Sequence, residues 1–188
     1  SKLKYSQNFC INKIKNLSDR RSFLKTAALL WTGVLCFFGV SFAADLFQVR
    51  HVSDGDTLIL EDGQIVRLIG VDTPEMDDDS RNAQNARKNG LEAGFVSKFA
   101  EQAKNFTREA VEGRLVRLEY DWQRVDKYRR VLAYVTRESD GLFLNAEIIR
   151  EGFGFPYLYF PFRYSDEFRK LGEEARRGKK GLWKESDP

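Results

Sequence analysis

The 188-residue sequence predicts an α+β domain: a five-stranded β-barrel with three α-helices, preceded by an N-terminal hydrophobic segment. Three observations carry this prediction. Residues 46–71 hold three short β-branched runs separated by tight turns. A long amphipathic helical pattern follows the third run. Two further alternating runs and two further helical patterns complete the chain. No internal repeat or low-complexity segment interrupts that order, and the length suits one domain plus extras.

The first strand is Leu46–Val52 (LFQVRHV), ended by the turn dipeptide Asp54-Gly55. Thr57–Leu60 is the second, and Glu61-Asp62-Gly63 turns the chain into a third strand over Gln64–Val71. Connections this short make an antiparallel meander. Arg67 sits inside the apolar run of the third strand. Burying a guanidinium unpaired costs several kcal/mol, roughly, so Arg67 must face an anion or a carboxylate. Pro74 lacks an N–H and forces Thr73 towards extended geometry, so Asp72-Thr73-Pro74-Glu75 stops the strand. Met76–Asn89, with the acidic run Asp77-Asp78-Asp79, reads as a solvated loop. Leu91–Glu112 is a helix, because Phe95, Phe99, Ala103, Phe106 and Ala110/Val111 recur on one face, and Gly113 suits its end. Arg114–Tyr120 and Arg130–Thr136 are the last two strands, joined by the polar loop Asp121–Arg129. Leu144–Glu151 is a short helix closed by Gly152. Gly154–Tyr164 is aromatic and broken by Pro156 and Pro161. Asp166–Arg177 is the third helix, with acids in its first turn and arginines in its last. Five strands with a helix after the third is the order of an OB-type barrel.

The net charge of +3 hides a split. Residues 1–43 carry seven Lys/Arg and one acid, a net +6; the remainder carries 24 basic and 27 acidic residues, a net −3. Polyanion binding must therefore come from a local patch rather than from the overall field. Cys10 and Cys36 both precede residue 44, so the domain at 44–188 has no disulfide and no thiolate chemistry. Its one histidine, His51, rules out a His-rich zinc cluster.

Residues 1–43 read as an export signal or an uncleaved N-terminal anchor. A basic stretch from Lys2 to Lys25 precedes the apolar run Thr26–Val40, and Ser41-Phe42-Ala43 offers small residues before a cleavage point at Ala44. The apolar run is about 15 residues, short of the roughly 20 that a membrane span needs. Arg20-Arg21-Ser22-Phe23-Leu24-Lys25 resembles the twin-arginine motif. The expectation is a bacterial periplasmic or secreted protein, membrane-anchored if the leader is retained.

The polar residues at strand ends form a set. Asp54-Gly55-Asp56-Thr57 lies between the first two strands, Arg67 is on the third, Asp72, Thr73 and Glu75 follow it, and Asp126-Lys127-Tyr128-Arg129-Arg130 opens the fifth. The motifs DGDT, R-x4-DTPE and DKYxR, in this order and spacing, strongly resemble the staphylococcal nuclease (thermonuclease) family over about residues 46–184. The resemblance implies an OB-fold nuclease that uses Ca²⁺ to hydrolyse phosphodiesters of DNA and RNA, leaving a 3′-phosphate and a 5′-hydroxyl. It implies that Asp56 and Asp72 ligate the metal by carboxylates and Thr73 by its backbone carbonyl, with Asp54 in the outer shell. Glu75 is the implied general base or water-orienting group, and Arg67 and Arg130 the phosphate-binding pair. Lys127 and Tyr128 match positions that contact a terminal phosphate. In the aromatic run, Tyr157 and Tyr159 are the residues placed to touch a base, against a structural role in core and lid packing.

Elementary chemistry points the same way. Carboxylate and carbonyl oxygens, without Cys and with a single His, suit Ca²⁺ or Mg²⁺ and not zinc. Two guanidiniums and a divalent cation answer the charge that builds on phosphorus, and arginine's planar fork takes two phosphate oxygens at once. The sequence departs from the family pattern at Arg129, where a glycine is usual; a φ above zero there would strain it, and either Arg129 or Arg130 reaches phosphate, the spacing to Leu132-Ala133-Tyr134 favouring Arg130. No obligate protein partner is evident and a monomer is expected. The alternatives are a non-catalytic OB-fold module that binds nucleic acid, and an anchored envelope protein whose aromatic segment docks a partner.

Overall fold

The structure, a computed structural model, describes residues 46–184. The leader assigned to residues 1–43 lies outside the described residues. Short apolar strands build the barrel: β1 (Leu46–Asp54), β2 (Thr57–Leu60), β3 (Ile65–Leu68), β5 (Leu115–Glu119) and β6 (Val131–Arg137) close it in the order β1–β2–β3–β6–β5. Val49, Val52, Leu58, Leu60, Val66, Leu68, Val116, Ala133 and Val135 fill the interior. All pairings are antiparallel except β3 with β6, which run parallel, with Arg67 opposite Leu132. The meander expected of the first three strands is therefore present, and closure comes from a long-range parallel pairing.

The expected third strand, Gln64–Val71, is not continuous. It breaks at Ile69-Gly70, where Gly70 takes φ 74°, and resumes as β4 (Val71–Asp72), which pairs with β7 (Phe155–Pro156) outside the barrel. A Cβ on Gly70 would lie 2.6 Å from the Phe162 ring, so backbone and packing both call for glycine. This break swings Asp72–Glu75 off the barrel wall and over its rim.

Four helices, rather than three, flank the barrel among the described residues: α1 (Asp79–Asn89), α2 (Ala93–Val111), α3 (Leu144–Arg150) and α4 (Ser165–Arg177). The addition is α1, in the segment expected to be a solvated loop. Its acidic run is a helix start: Asp78 Oδ1 accepts from the Arg81 amide at 2.9 Å and from Ser80 Oγ at 2.7 Å, and Asp79 Oδ1 accepts from Ser97 Oγ of α2 at 2.8 Å. Gly90, at φ 68°, closes it. The remaining helices lie within a residue or two of their expected bounds. α3 and α4 pack on the barrel through Ile148, Ile149 and Phe168. A second cluster joins α1, α2 and α4 through Ala86, Phe99, Phe155, Ala175 and Trp183. Among the described residues no helix is long and apolar enough to cross a membrane.

Candidate active site

The site is assembled by pairing register. The β2–β3 ladder sets Thr57 opposite Arg67, and the Leu68 amide donates to the Asp56 carbonyl at 3.0 Å, so the turn carrying Asp56 lies against Arg67. Asp56 is buried; its Oδ2 accepts from the Thr73 amide at 3.0 Å and its Oδ1 from Thr57 Oγ1 at 3.1 Å. That first bond ties the turn after β1 to the turn after β4. A Cβ on Gly55 would meet Thr73 Oγ1 at 2.7 Å, so this close approach depends on glycine. Thr107 Oγ1 of α2 holds the same turn by donating to the Gly55 carbonyl at 2.6 Å.

One carboxylate oxygen from each of Asp56, Asp72 and Glu75 lies within 4.8 Å of the others, a group that could hold a metal ion. Arg67 crosses this group: Nη1 lies 2.6 Å from Asp56 Oδ2 and Nη2 lies 3.3 Å from Asp72 Oδ1. The sequence demanded an anion for this buried guanidinium, and it meets two carboxylates. Asp54 acts on Glu75 from the end of β1. Burial, then the Asp54 hydrogen bond and the charges of Asp56 and Asp54, push the Glu75 carboxyl up to about 8, against the pull of Arg81. Burial likewise raises the Asp56 carboxyl above the ordinary range, with Arg67 opposing and Asp72 reinforcing it. Counted as charges, Asp54, Asp56, Asp72 and Glu75 face Arg67 and Arg81, so the ionised cluster is short of two positive charges.

A cavity of about 540 Å³ adjoins the cluster. Arg67, Arg81, Lys127, Tyr128, Arg130 and Tyr157 are among the residues lining it. Arg67 and Arg130 thus share one cavity. Asp126 builds the loop that presents Arg130, accepting from the Tyr128 and Arg130 amides and from Arg130 Nε at 2.8 Å. Arg129 occupies φ 66°, the left-handed region in which glycine is at ease. The Lys127 ammonium and the Arg130 guanidinium sit over the Tyr128 ring at 4.9 and 5.4 Å. Tyr159 is placed apart: it does not line the cavity, but packs beside Tyr157 and under Lys88 Nζ, 4.6 Å from its ring. The aromatic run divides. Phe153 stacks on Phe106 and Phe155 is buried against Trp183, while Tyr157 and Phe160 reach the cavity.

A family profile described as staphylococcal nuclease homologue matches residues 65–185. The chain is 33% identical to a thermonuclease of Staphylococcus hyicus over 141 residues, covering 73% of this chain and 75% of that protein. It is 39% identical to a thermonuclease of Staphylococcus intermedius over 134 residues, 70% of this chain and 69% of the relative. The chain belongs to the staphylococcal nuclease family. As a member it is a nuclease, a hydrolase. Endonuclease YncB of Bacillus subtilis is also similar, 33% identical over 139 residues, covering 71% of this chain and 59% of the relative.

Sequence reading missed the contribution of α1. Arg81 Nη1 lies 2.7 Å from Glu75 Oε1, and its Nη2 contacts Asp72 Oδ1. Asn85 Nδ2 donates to Asp72 Oδ2 at 2.8 Å. Asn82 brackets the Glu75 backbone, accepting from its amide at 2.8 Å and donating to its carbonyl at 2.7 Å. The available signal was the spacing of Arg81, Asn82 and Asn85 on one helical face. His51 lies at another place, with Nδ1 at 3.2 Å from Glu112.

Proposed function

We propose that this nuclease is a Ca²⁺-dependent phosphodiesterase acting on single-stranded or unpaired DNA and RNA. The observation that carries the reading is the junction of a three-carboxylate cluster with an arginine-lined cavity, Arg67 belonging to both. The donor set fits a hard cation: its side-chain ligands are all oxygen, and the ionised cluster lacks two positive charges. Thr73 Oγ1, buried and without a hydrogen-bond partner, adds an oxygen at the same turn. Asp56, Asp72 and the Thr73 carbonyl would hold the ion, with Asp54 behind them. An irregular set of carboxylates and a carbonyl suits Ca²⁺ better than Mg²⁺, which demands near-octahedral geometry. When bound, the ion would neutralise the carboxylates and polarise a phosphate oxygen.

The chain's own residues supply the rest. Arg67 and Arg130, which both line the cavity, bind the phosphate, where charge grows on its oxygens as phosphorus is attacked. Glu75 takes a proton from the attacking water, and its position is fixed through its backbone by Asn82. Lys127 and Tyr128 contact a neighbouring phosphate. The exposed rings of Tyr128 and Trp122, 67% and 69% accessible and both lining the cavity, offer stacking surfaces that bases paired in a duplex cannot use. The family's pattern of 3′-phosphate and 5′-hydroxyl products is part of this proposal, as is export by the leader.

The test is cleavage of single-stranded DNA and of RNA by the purified full chain with Ca²⁺, with Mg²⁺ and with chelator. Ca²⁺-restored cleavage after stripping supports the proposal. Undiminished cleavage in chelator rejects the metal mechanism, and tight binding without cleavage under every condition makes the chain a binding module.

A further inference from the structure

Resting on the metal-site reading above, we propose that Arg81, paired with Asp72 and Glu75, is the resident counter-cation of the acid cluster and competes with the divalent cation for Asp72. Metal loading and release of the Arg81 side chain towards the phosphate cavity are then coupled events.

The two arginines of the cluster are not equivalent. Arg67 stands on a barrel strand with its side chain 10% accessible, and it binds both the carboxylate and the carbonyl of Asp56, at 2.6 and 3.4 Å. Its position is fixed by the strand and by Asp56. Arg81 stands in the first turn of α1 with its side chain 36% accessible. Its backbone is pinned by the Asp78 cap, so the side chain can move alone. Its fork spans Asp72 and Glu75, two of the three acids whose oxygens converge.

The Asp72 carboxylate already has three partners. Oδ1 meets both Arg67 and Arg81, and Oδ2 accepts from Asn85. A dication on Asp72 would face the Arg81 guanidinium on the same carboxylate across a few ångströms, which a partly buried site screens weakly. Because Arg67 is fixed on the barrel and Asn85 is buried, the replaceable partner of Asp72 is the more exposed Arg81. A freed Arg81 stays useful, since it already lines the cavity with Arg67, Lys127 and Arg130. A phosphate there would draw the guanidinium and relieve the carboxylates, so polyanion and metal should each strengthen the other's binding, as linkage requires.

The experiment is calorimetric titration of Ca²⁺ into chelator-stripped full chain, for the wild type, Arg81→Gln, Arg81→Lys and Arg87→Gln. Arg87 is on the same helix, where its Nε donates to the Ala83 carbonyl, so its loss controls for charge alone. Competition predicts that Arg81→Gln binds Ca²⁺ at least about tenfold tighter and Arg81→Lys falls between, while Arg87→Gln stays within about twofold of wild type. Thermal unfolding gives a second readout. Arg81→Gln should melt below the wild type in chelator, where Asp72 and Glu75 have lost a partner, and lose that deficit in saturating Ca²⁺. Wild-type uptake of Ca²⁺ with no gain in Arg81→Gln, or a melting deficit that persists in Ca²⁺, overturns this inference alone. Absence of uptake by both proteins overturns the metal reading and this inference with it.

Discussion

At the scale of single residues, the site concentrates its consequences in Glu75 and Arg129. Replacing Glu75 by Gln removes the proposed proton acceptor while keeping its size. The turnover rate should fall by about 10²-fold or more, with substrate affinity retained, in steady-state kinetics on a defined oligonucleotide. An equal loss in affinity would instead make Glu75 a binding group. Arg129 poses a question of stability. A non-glycine residue in the left-handed region costs roughly 1–2 kcal/mol, so Arg129→Gly should raise the unfolding free energy by about 1 kcal/mol in urea titrations. The departure at Arg129 was visible in the sequence because the surrounding DKYxR pattern made the glycine conspicuous by its replacement. The need for Gly55 was not visible, since it arises from Thr73, distant in sequence, closing over it.

At the scale of elements, what was legible follows the periodicity of apolar residues. The strands of the barrel and the long helix α2 announce themselves because Val, Leu, Ile and Phe mark their buried faces. Helix α1 does not, because its inward face is Asn82, Asn85 and Ala86, all buried. The helical spacing is there, carried by asparagines, so a search for apolar period finds only a polar stretch. Those asparagines are buried because they serve Glu75 and Asp72. The same blindness hid the rim geometry: Arg67, Asp72 and Glu75 were legible as a set, but not the arginine and two amides that hold them. Pairing of β3 with β6 also escaped local reading, since parallel register is set by long-range packing and not by a turn. If α1 is a brace for the catalytic turn, Asn82→Ala should cost about 1–3 kcal/mol in urea unfolding, because it strands the amide and carbonyl of Glu75. It should also slow cleavage without removing any group that touches substrate.

At the scale of the whole molecule, the cavity wall formed by Tyr157, Phe160, Pro161 and Phe162 depends on how the aromatic segment is tied back to the barrel. Asp121, just beyond β5, makes that tie. Its Oδ2 accepts from Tyr134 Oη of β6 at 2.6 Å and from the Arg163 amide at 2.9 Å, and its Oδ1 accepts from the Trp122 amide at 2.8 Å. Trp122 Nε1 completes the seam by donating to the Pro161 carbonyl at 3.1 Å. One carboxylate thus joins two barrel strands to the segment that carries Phe160 and Phe162 into the cavity. Partial burial works to raise the Asp121 pKa, but the hydrogen bonds from Tyr134, Arg163 and Trp122 outweigh it and hold the carboxyl below the ordinary range. A carboxyl depressed in the folded state favours folding fully above its unfolded pKa of about 3.9, and that contribution is lost as pH falls through the folded value. Asp121→Asn should therefore be less stable than the wild type near neutral pH, and the gap should narrow once the pH drops under about 4. Urea unfolding of both proteins from pH 7 to pH 3 measures it. A gap that stays constant across that range would mean that the carboxylate's charge contributes nothing and that shape alone holds the seam.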